Sequence, residues 1–146
     1  MKPVILLVED NDDDAELTRM AFDRARVENA LVRVYDGVEA LDYLFRRGAH
    51  AERGPDSDPA VVLLDINLPR IDGLEVLRTV RADPSTKHVP IVMLTSSNAD
   101  RDRLAAYEGH ANSFIQKPVD FDRFIVAARE IGLYWLVLNQ RAPRAP

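Results

Sequence analysis

The stretch Ala60-Val61-Val62-Leu63-Leu64-Asp65-Ile66-Asn67 decides how this chain must be read. Five apolar residues in succession, with no polar alternation, describe a strand covered on both faces. The run breaks off at a carboxylate. Working outward, the same figure recurs. Val4–Val8 ends in Glu9-Asp10, Val89–Leu94 ends in Thr95-Ser96-Ser97, and Ser113–Ile115 leads through Gln116 to Lys117-Pro118. Leu31–Tyr35 completes the set of five predicted strands.

Helical patterns fill the intervals. Leu17, Met20, Ala21 and Ala25 recur at helical spacing behind Asp12 to Asp14, which supply N-cap candidates. A second pattern spans about Val38–Arg47 with Ala40, Leu41 and Leu44. A third starts after Gly73, carries Val76, Leu77 and Val80, and ends before Asp83-Pro84. The fourth runs from about Ala99 to Glu108 and stops at Gly109. The fifth starts near Phe121 and carries Phe124, Ile125 and Ala128. Strict β-then-α alternation predicts an α/β fold, a doubly wound five-stranded parallel sheet with five helices. Residues 1–138 are expected to form one domain and residues 139–146 a flexible tail. Gly48–Pro59, with two Gly and two Pro, reads as a surface loop.

Composition narrows the function classes. With 146 residues, 47% apolar and 29% charged, the chain suits one globular domain. The absence of cysteine excludes disulfides, thiolate metal sites and a cysteine nucleophile. A formal charge of −5 argues against nucleic-acid or anionic-membrane partners. Without a signal-like start or an apolar run long enough to span a bilayer, a cytoplasmic location is expected. The acid excess also has an address. Residues 1–16 hold Glu9, Asp10, Asp12, Asp13, Asp14 and Glu16 against Lys2 alone, which accounts for all of the −5.

In doubly wound sheets, ligands bind at the carboxyl ends of the strands. Here those ends deliver three carboxylates (Glu9, Asp10, Asp65), a hydroxyl (Thr95) and an ammonium (Lys117) to one edge. Three carboxylates crowd together only with a raised pKa or a cation between them. A hard divalent ion with oxygen ligands removes the conflict, and few carboxylates plus water suit Mg²⁺. With charge screened, one carboxylate can attack phosphorus, while Lys117 and Thr95 are the right types to bind the transferred oxygens. Taken singly, each feature has an ordinary structural reading, as a cap, a turn or a solvated strand end. Lys117 resists it most, since only three of the 19 basic residues are lysine and this one follows an apolar strand. Their joint arrival at one edge is what points to chemistry.

The chain resembles the receiver domains of two-component response regulators. The resemblance rests on Glu9-Asp10, Asp65, Leu68-Pro69-Arg70-Ile71-Asp72-Gly73, Thr95-Ser96 and Lys117-Pro118, in that order, over about residues 3–130. It implies a flavodoxin-like fold of receiver type, with Asp65 as phosphoacceptor. Glu9, Asp10, Asp65 and the backbone carbonyl of Asn67 would hold Mg²⁺. Thr95 would be the switch hydroxyl, Phe114 the switch aromatic, and Lys117 the cation that pairs at the site, with the Lys117-Pro118 bond expected cis. Gln116 departs from the pattern, where receivers usually carry an apolar residue. A narrower likeness implies a stand-alone receiver serving bacterial phytochrome-type histidine kinases. Its carriers are Asp65-Ile66-Asn67-Leu68-Pro69, Ala111-Asn112-Ser113-Phe114-Ile115, Pro118-Val119-Asp120-Phe121 and Tyr134-Trp135-Leu136.

Rival readings fare worse. A nucleotide or flavin site needs a phosphate cradle after the first strand, where this chain has Glu-Asp-Asn-Asp-Asp-Asp. A phosphatase of haloacid-dehalogenase kind expects a second acid two residues after the nucleophile, where Asn67 stands. A phosphorylation-independent binding module of receiver fold would normally have lost an acid or the lysine. The resemblance implies no separate enzymatic activity, so output is expected through protein contacts. Residues 131–138, apolar on every side if helical, predict a homodimer built with the face of the fourth helix, fifth strand and fifth helix.

Overall fold

The apolar runs become five strands of one sheet: β1 (Ile5–Val8), β2 (Leu31–Val34), β3 (Val61–Asp65), β4 (Ile91–Thr95) and β5 (Ser113–Gln116). Their order is β2-β1-β3-β4-β5, and every adjacent pair is parallel. The helices are α1 (Asp12–Arg24), α2 (Gly37–Phe45), α3 (Gly73–Ala82) and α4 (Phe121–Ile131), with a 3₁₀ turn at Gly48–His50. The computed structural model describes residues 3–54, 57–95, 113–116 and 121–133, with 113, 114 and 116 given by backbone alone. The helix predicted over 99–108, the tail and Lys117 lie outside the described residues.

Strand alternation splits the core into two layers. Ile5, Leu7, Val61, Leu63, Val92 and Leu94 face Ala21 and Phe22 of α1 and Phe124 and Ala128 of α4. Leu6, Val8, Val62, Leu64, Ile91 and Met93 face Leu41 and Leu44 of α2 and Val76, Leu77 and Val80 of α3. These side chains are buried, and each Val, Leu, Ile, Phe or Met among them contributes roughly 1.5–3 kcal/mol by leaving water. Helices on both faces explain why the strands are continuously apolar.

The structure corrects several local expectations. Strand β4 begins after Pro90, which has no N–H to donate to the ladder, and extends through Thr95. Strand β3 likewise runs one residue further, so Asp65 belongs to the ladder and pairs with Leu94. The N-cap of α1 is Asn11, whose side chain accepts from the Asp14 N–H, rather than one of the aspartates behind it. Leu17, Ala21 and Ala25 pack inward as the spacing predicts, joined by Ala15, Thr18 and Phe22, and Met20 instead points outward, 42% exposed. The loop before β3 is more than a surface connection. Arg53 donates from Nε to the Tyr43 carbonyl at 3.1 Å and lies 3.8 Å from Asp58, which is buried.

Candidate functional site

The register of the central strands assembles the site. Val8 pairs with Leu64 at the end of the β1–β3 ladder, so Glu9 and Asp65 come next, side by side, at its carboxyl end. This is the place where strand order reverses on either side of β1, the usual position of a ligand crevice. Glu9 is fully buried, Asp65 is 5% exposed, and Asp10 faces solvent. One carboxylate oxygen from each lies within 4.8 Å of the others.

Backbone hydrogen bonds hold these acids in place. The Glu9 N–H donates to the Val34 carbonyl at 3.1 Å, and Glu9 Oε2 accepts from the Asn11 N–H at 3.4 Å. Asp65 Oδ1 accepts from the Asn67 N–H at 3.1 Å, an Asx-type turn that orients the carboxylate. The chain then swings back, and the Gly73 N–H donates to the Ile66 carbonyl at 2.8 Å. Glycine is required at this point by proximity: a Cβ on Gly73 would stand 2.2 Å from the Asp65 carbonyl oxygen. Asp72 caps α3 by accepting from the Glu75 N–H at 3.0 Å. The turn that follows Asp65 is thereby clamped to the helix behind it.

Thr95 closes β4, one position beyond Leu94, the ladder partner of Asp65. It is fully buried, and its Oγ1 has no hydrogen-bond partner among the described residues. A buried orphan hydroxyl costs roughly 1–3 kcal/mol. Such an atom beside a cluster of acids fits a site built to receive an oxygen-rich group. Phe114 lies in β5 opposite Met93 by backbone register. Thus Glu9, Asp10 and Asp65 are brought together, Thr95 stands at the same edge, and Lys117 falls outside the described residues.

The donor set is all carboxylate oxygen, two of the three groups buried, which fits a hard divalent cation and not a thiophilic one. The roles of Gly73 and of Arg33 at this site were not legible beforehand. Gly73 acts through a tertiary approach, and Arg33 reaches the site from the neighbouring strand β2. It donates from Nε to the Glu9 carbonyl at 2.9 Å.

A family model described as the response regulator receiver domain matches residues 5–129. This chain belongs to that family. The receiver is 40% identical over 137 residues to the probable methanogenesis regulatory protein FilR2 of Methanothrix harundinacea, spanning 94% of this chain and 86% of that protein. It is 35% identical over 133 residues to response regulator Rcp1 of Synechocystis sp., spanning 91% and 88%. Among solved structures it is similar to the bacteriophytochrome response regulator AtBRR, at 47% identity and TM-score 0.80 over 96% of this chain and 99% of that one. It is also similar to the phosphorylated cyanobacterial phytochrome response regulator RcpA, at 34% identity and TM-score 0.82 over 96% and 98%. The Mn²⁺-bound form of Rcp1 matches at 31% identity and TM-score 0.81 over 97% and 99%. Receivers of this kind are signalling adaptors that are phosphorylated by histidine kinases and bind a divalent metal ion. A phosphorylation-independent role is accordingly not favoured. Among the described residues, no helix is long and apolar enough to cross a membrane.

Proposed function

We propose that this receiver accepts a phosphoryl group on Asp65 from a phosphohistidine of a phytochrome-type histidine kinase, with Mg²⁺ held by Glu9, Asp10, Asp65 and the Asn67 carbonyl. The observation that carries the reading is the convergence of three carboxylates within 4.8 Å at the strand edge where Thr95 ends β4. When bound, the metal supplies positive charge that offsets the carboxylates and the incoming phosphoryl oxygens. An Asp65 carboxylate oxygen attacks phosphorus, the P–N bond breaks, and the imidazole leaves, taking a proton from water. Asn67 N–H holds the attacking carboxylate in its rotamer. The Thr95 hydroxyl and the Lys117 ammonium donate to the oxygens of the transferred group.

Drawing Thr95 toward the new dianion vacates space, into which the Phe114 ring turns. Phosphorylation then biases a two-state surface comprising the fourth predicted helix, β5 and α4. That surface, with the apolar segment 131–138, forms a homodimer in the cytoplasm, and residues 139–146 trail from a receiver domain spanning 1–138. Phosphotransfer from an autophosphorylated phytochrome-type kinase tests the reading. Label is expected to pass to the wild type and not to Asp65→Asn. Transfer to both, or to neither, overturns it. Sedimentation velocity checks the dimer, and a monomer at high concentration with and without phosphorylation removes that element.

A further inference from the structure

Arg33 is the one residue of the edge strand β2 that reaches the acidic segment with its side chain. It lies opposite Leu7 in the β1–β2 register, with its side chain only 14% exposed. Its Nε donates to the Glu9 carbonyl at 2.9 Å, and its Nη1 lies 2.9 Å from Asp12 Oδ1. The guanidinium rests on the Tyr35 ring, with Cζ 4.2 Å from the centroid. Its remaining nitrogen, Nη2, is buried with no hydrogen-bond partner among the described residues.

The location of these bonds matters more than their number. The β1–β2 ladder ends at Val8, and Glu9 N–H still bonds to the Val34 carbonyl. The Glu9 carbonyl has passed the end of β2 as a ladder partner, and the Arg33 side chain takes it instead. That carbonyl belongs to the same rigid peptide unit as the Cα of Asp10. Fixing it sets the direction in which the chain leaves the buried Glu9 and presents Asp10 beside Asp65. The same guanidinium also pairs with the exposed Asp12.

We infer that Arg33 is a positioning residue for the metal pocket, holding the Glu9–Asp10 peptide so that both carboxylates face Asp65. This deepens the functional reading above and rests on it. Charge and geometry make opposite demands here, so the two roles are separable. Coulomb's law alone says that removing a cation near three carboxylates strengthens divalent binding. Loss of an outer partner that orients ligands weakens it, typically 10–100-fold.

The test is a Mn²⁺ titration of the full chain, followed by electron paramagnetic resonance of the free ion, with circular dichroism to verify folding. Wild type is expected to bind one Mn²⁺, and Arg33→Gln to bind about tenfold or more weakly. Arg33→Lys keeps the charge but cannot bond both acceptors while lying on Tyr35, so its affinity is expected to fall between the two. Asp12→Asn, which leaves the Glu9 bond intact, is expected to change affinity a few-fold at most, as for an exposed ion pair. Folded Arg33→Gln that binds as tightly as wild type, or tighter, overturns the positioning role. Should Arg33→Gln fail to fold, Arg33→Lys binding at wild-type strength does the same. An Asp12→Asn loss as large as that of Arg33→Gln overturns the route through the Glu9 carbonyl. A wild type that binds no Mn²⁺ overturns the pocket itself, which is a distinguishable failure.

Discussion

The two ends of the sheet bury acid in opposite ways. At the amino end, Asp58 lies 3.8 Å from Arg53 and 3.7 Å from His88, so basic groups close by face the carboxylate. Arg53 is further fixed by the Tyr43 carbonyl, the Ser57 carbonyl and hydroxyl, and the Tyr43 ring, 4.2 Å from its Cζ. At the carboxyl end, Glu9 and Asp65 are equally buried, yet they stand beside each other and beside Asp10. An acid faced by the chain's own basic groups closes a loop. Acids gathered within 4.8 Å of one another fit a divalent cation.

Substitutions at the two ends are therefore expected to separate stability from phosphorylation. The largest effect is at the site: Asp65→Asn abolishes phosphorylation outright, and chelating the divalent ion with EDTA does the same to the wild type, both read by intact mass. Next comes Arg53→Met. Taking one basic partner from the buried Asp58 is expected to cost about 1–3 kcal/mol, measured by urea unfolding, while the rate of phosphorylation of the folded fraction stays at the wild-type value. A phosphorylation defect there would erase the contrast between the two ends.

Gly73→Ala lies between the two behaviours. Its methyl would meet the Asp65 carbonyl, so a loss of about 1–3 kcal/mol is expected together with slower phosphorylation, because the same backbone carries Asp65, the proposed phosphoacceptor. A variant that loses stability but phosphorylates normally would show that the clamp on Asp65 is dispensable.

The smallest effect concerns Tyr43. Burial pushes its phenol above 10.0, the Arg53 guanidinium opposes the shift, and Asp58 adds to it. A folded pKa above the unfolded one means that this contribution to stability is complete below about pH 10 and is lost as pH rises through the folded value. Alkaline absorbance titration is expected to reveal a late-ionising tyrosine that disappears in Tyr43→Phe. In Arg53→Met it should titrate later still, since the opposing charge is gone.

The same contrast explains what the sequence made legible. Unbroken runs such as Val61–Leu64 announce strands covered on both sides, and carboxylates at their ends announce a site, because strand direction and edge follow from local pattern alone. The convergence of Glu9, Asp10 and Asp65 at one edge was readable for that reason. In α1 the stripe of Leu17, Ala21 and Ala25 does pack on the core, while Met20 turns outward and Phe22 fills the core beside α4, a choice that helical spacing alone leaves open. Three successive aspartates masked Asn11, since all four side chains can cap. The Arg53–Asp58 pairing in a stretch rich in Gly and Pro, the approach of Gly73 to Asp65, and the reach of Arg33 from β2 are tertiary facts. No periodicity within a segment encodes them.

The central claim is that the carboxyl-end cluster is a metal-assisted phosphoacceptor with Asp65 as its nucleophile. Its most direct test needs no kinase: incubate the full chain with acetyl phosphate and Mg²⁺, and follow intact mass. One base-labile, acid-stable phosphoryl adduct is expected, mapping to the peptide containing Asp65, absent without Mg²⁺ and absent in Asp65→Asn. No adduct on the wild type, or one that persists in Asp65→Asn, would contradict the account.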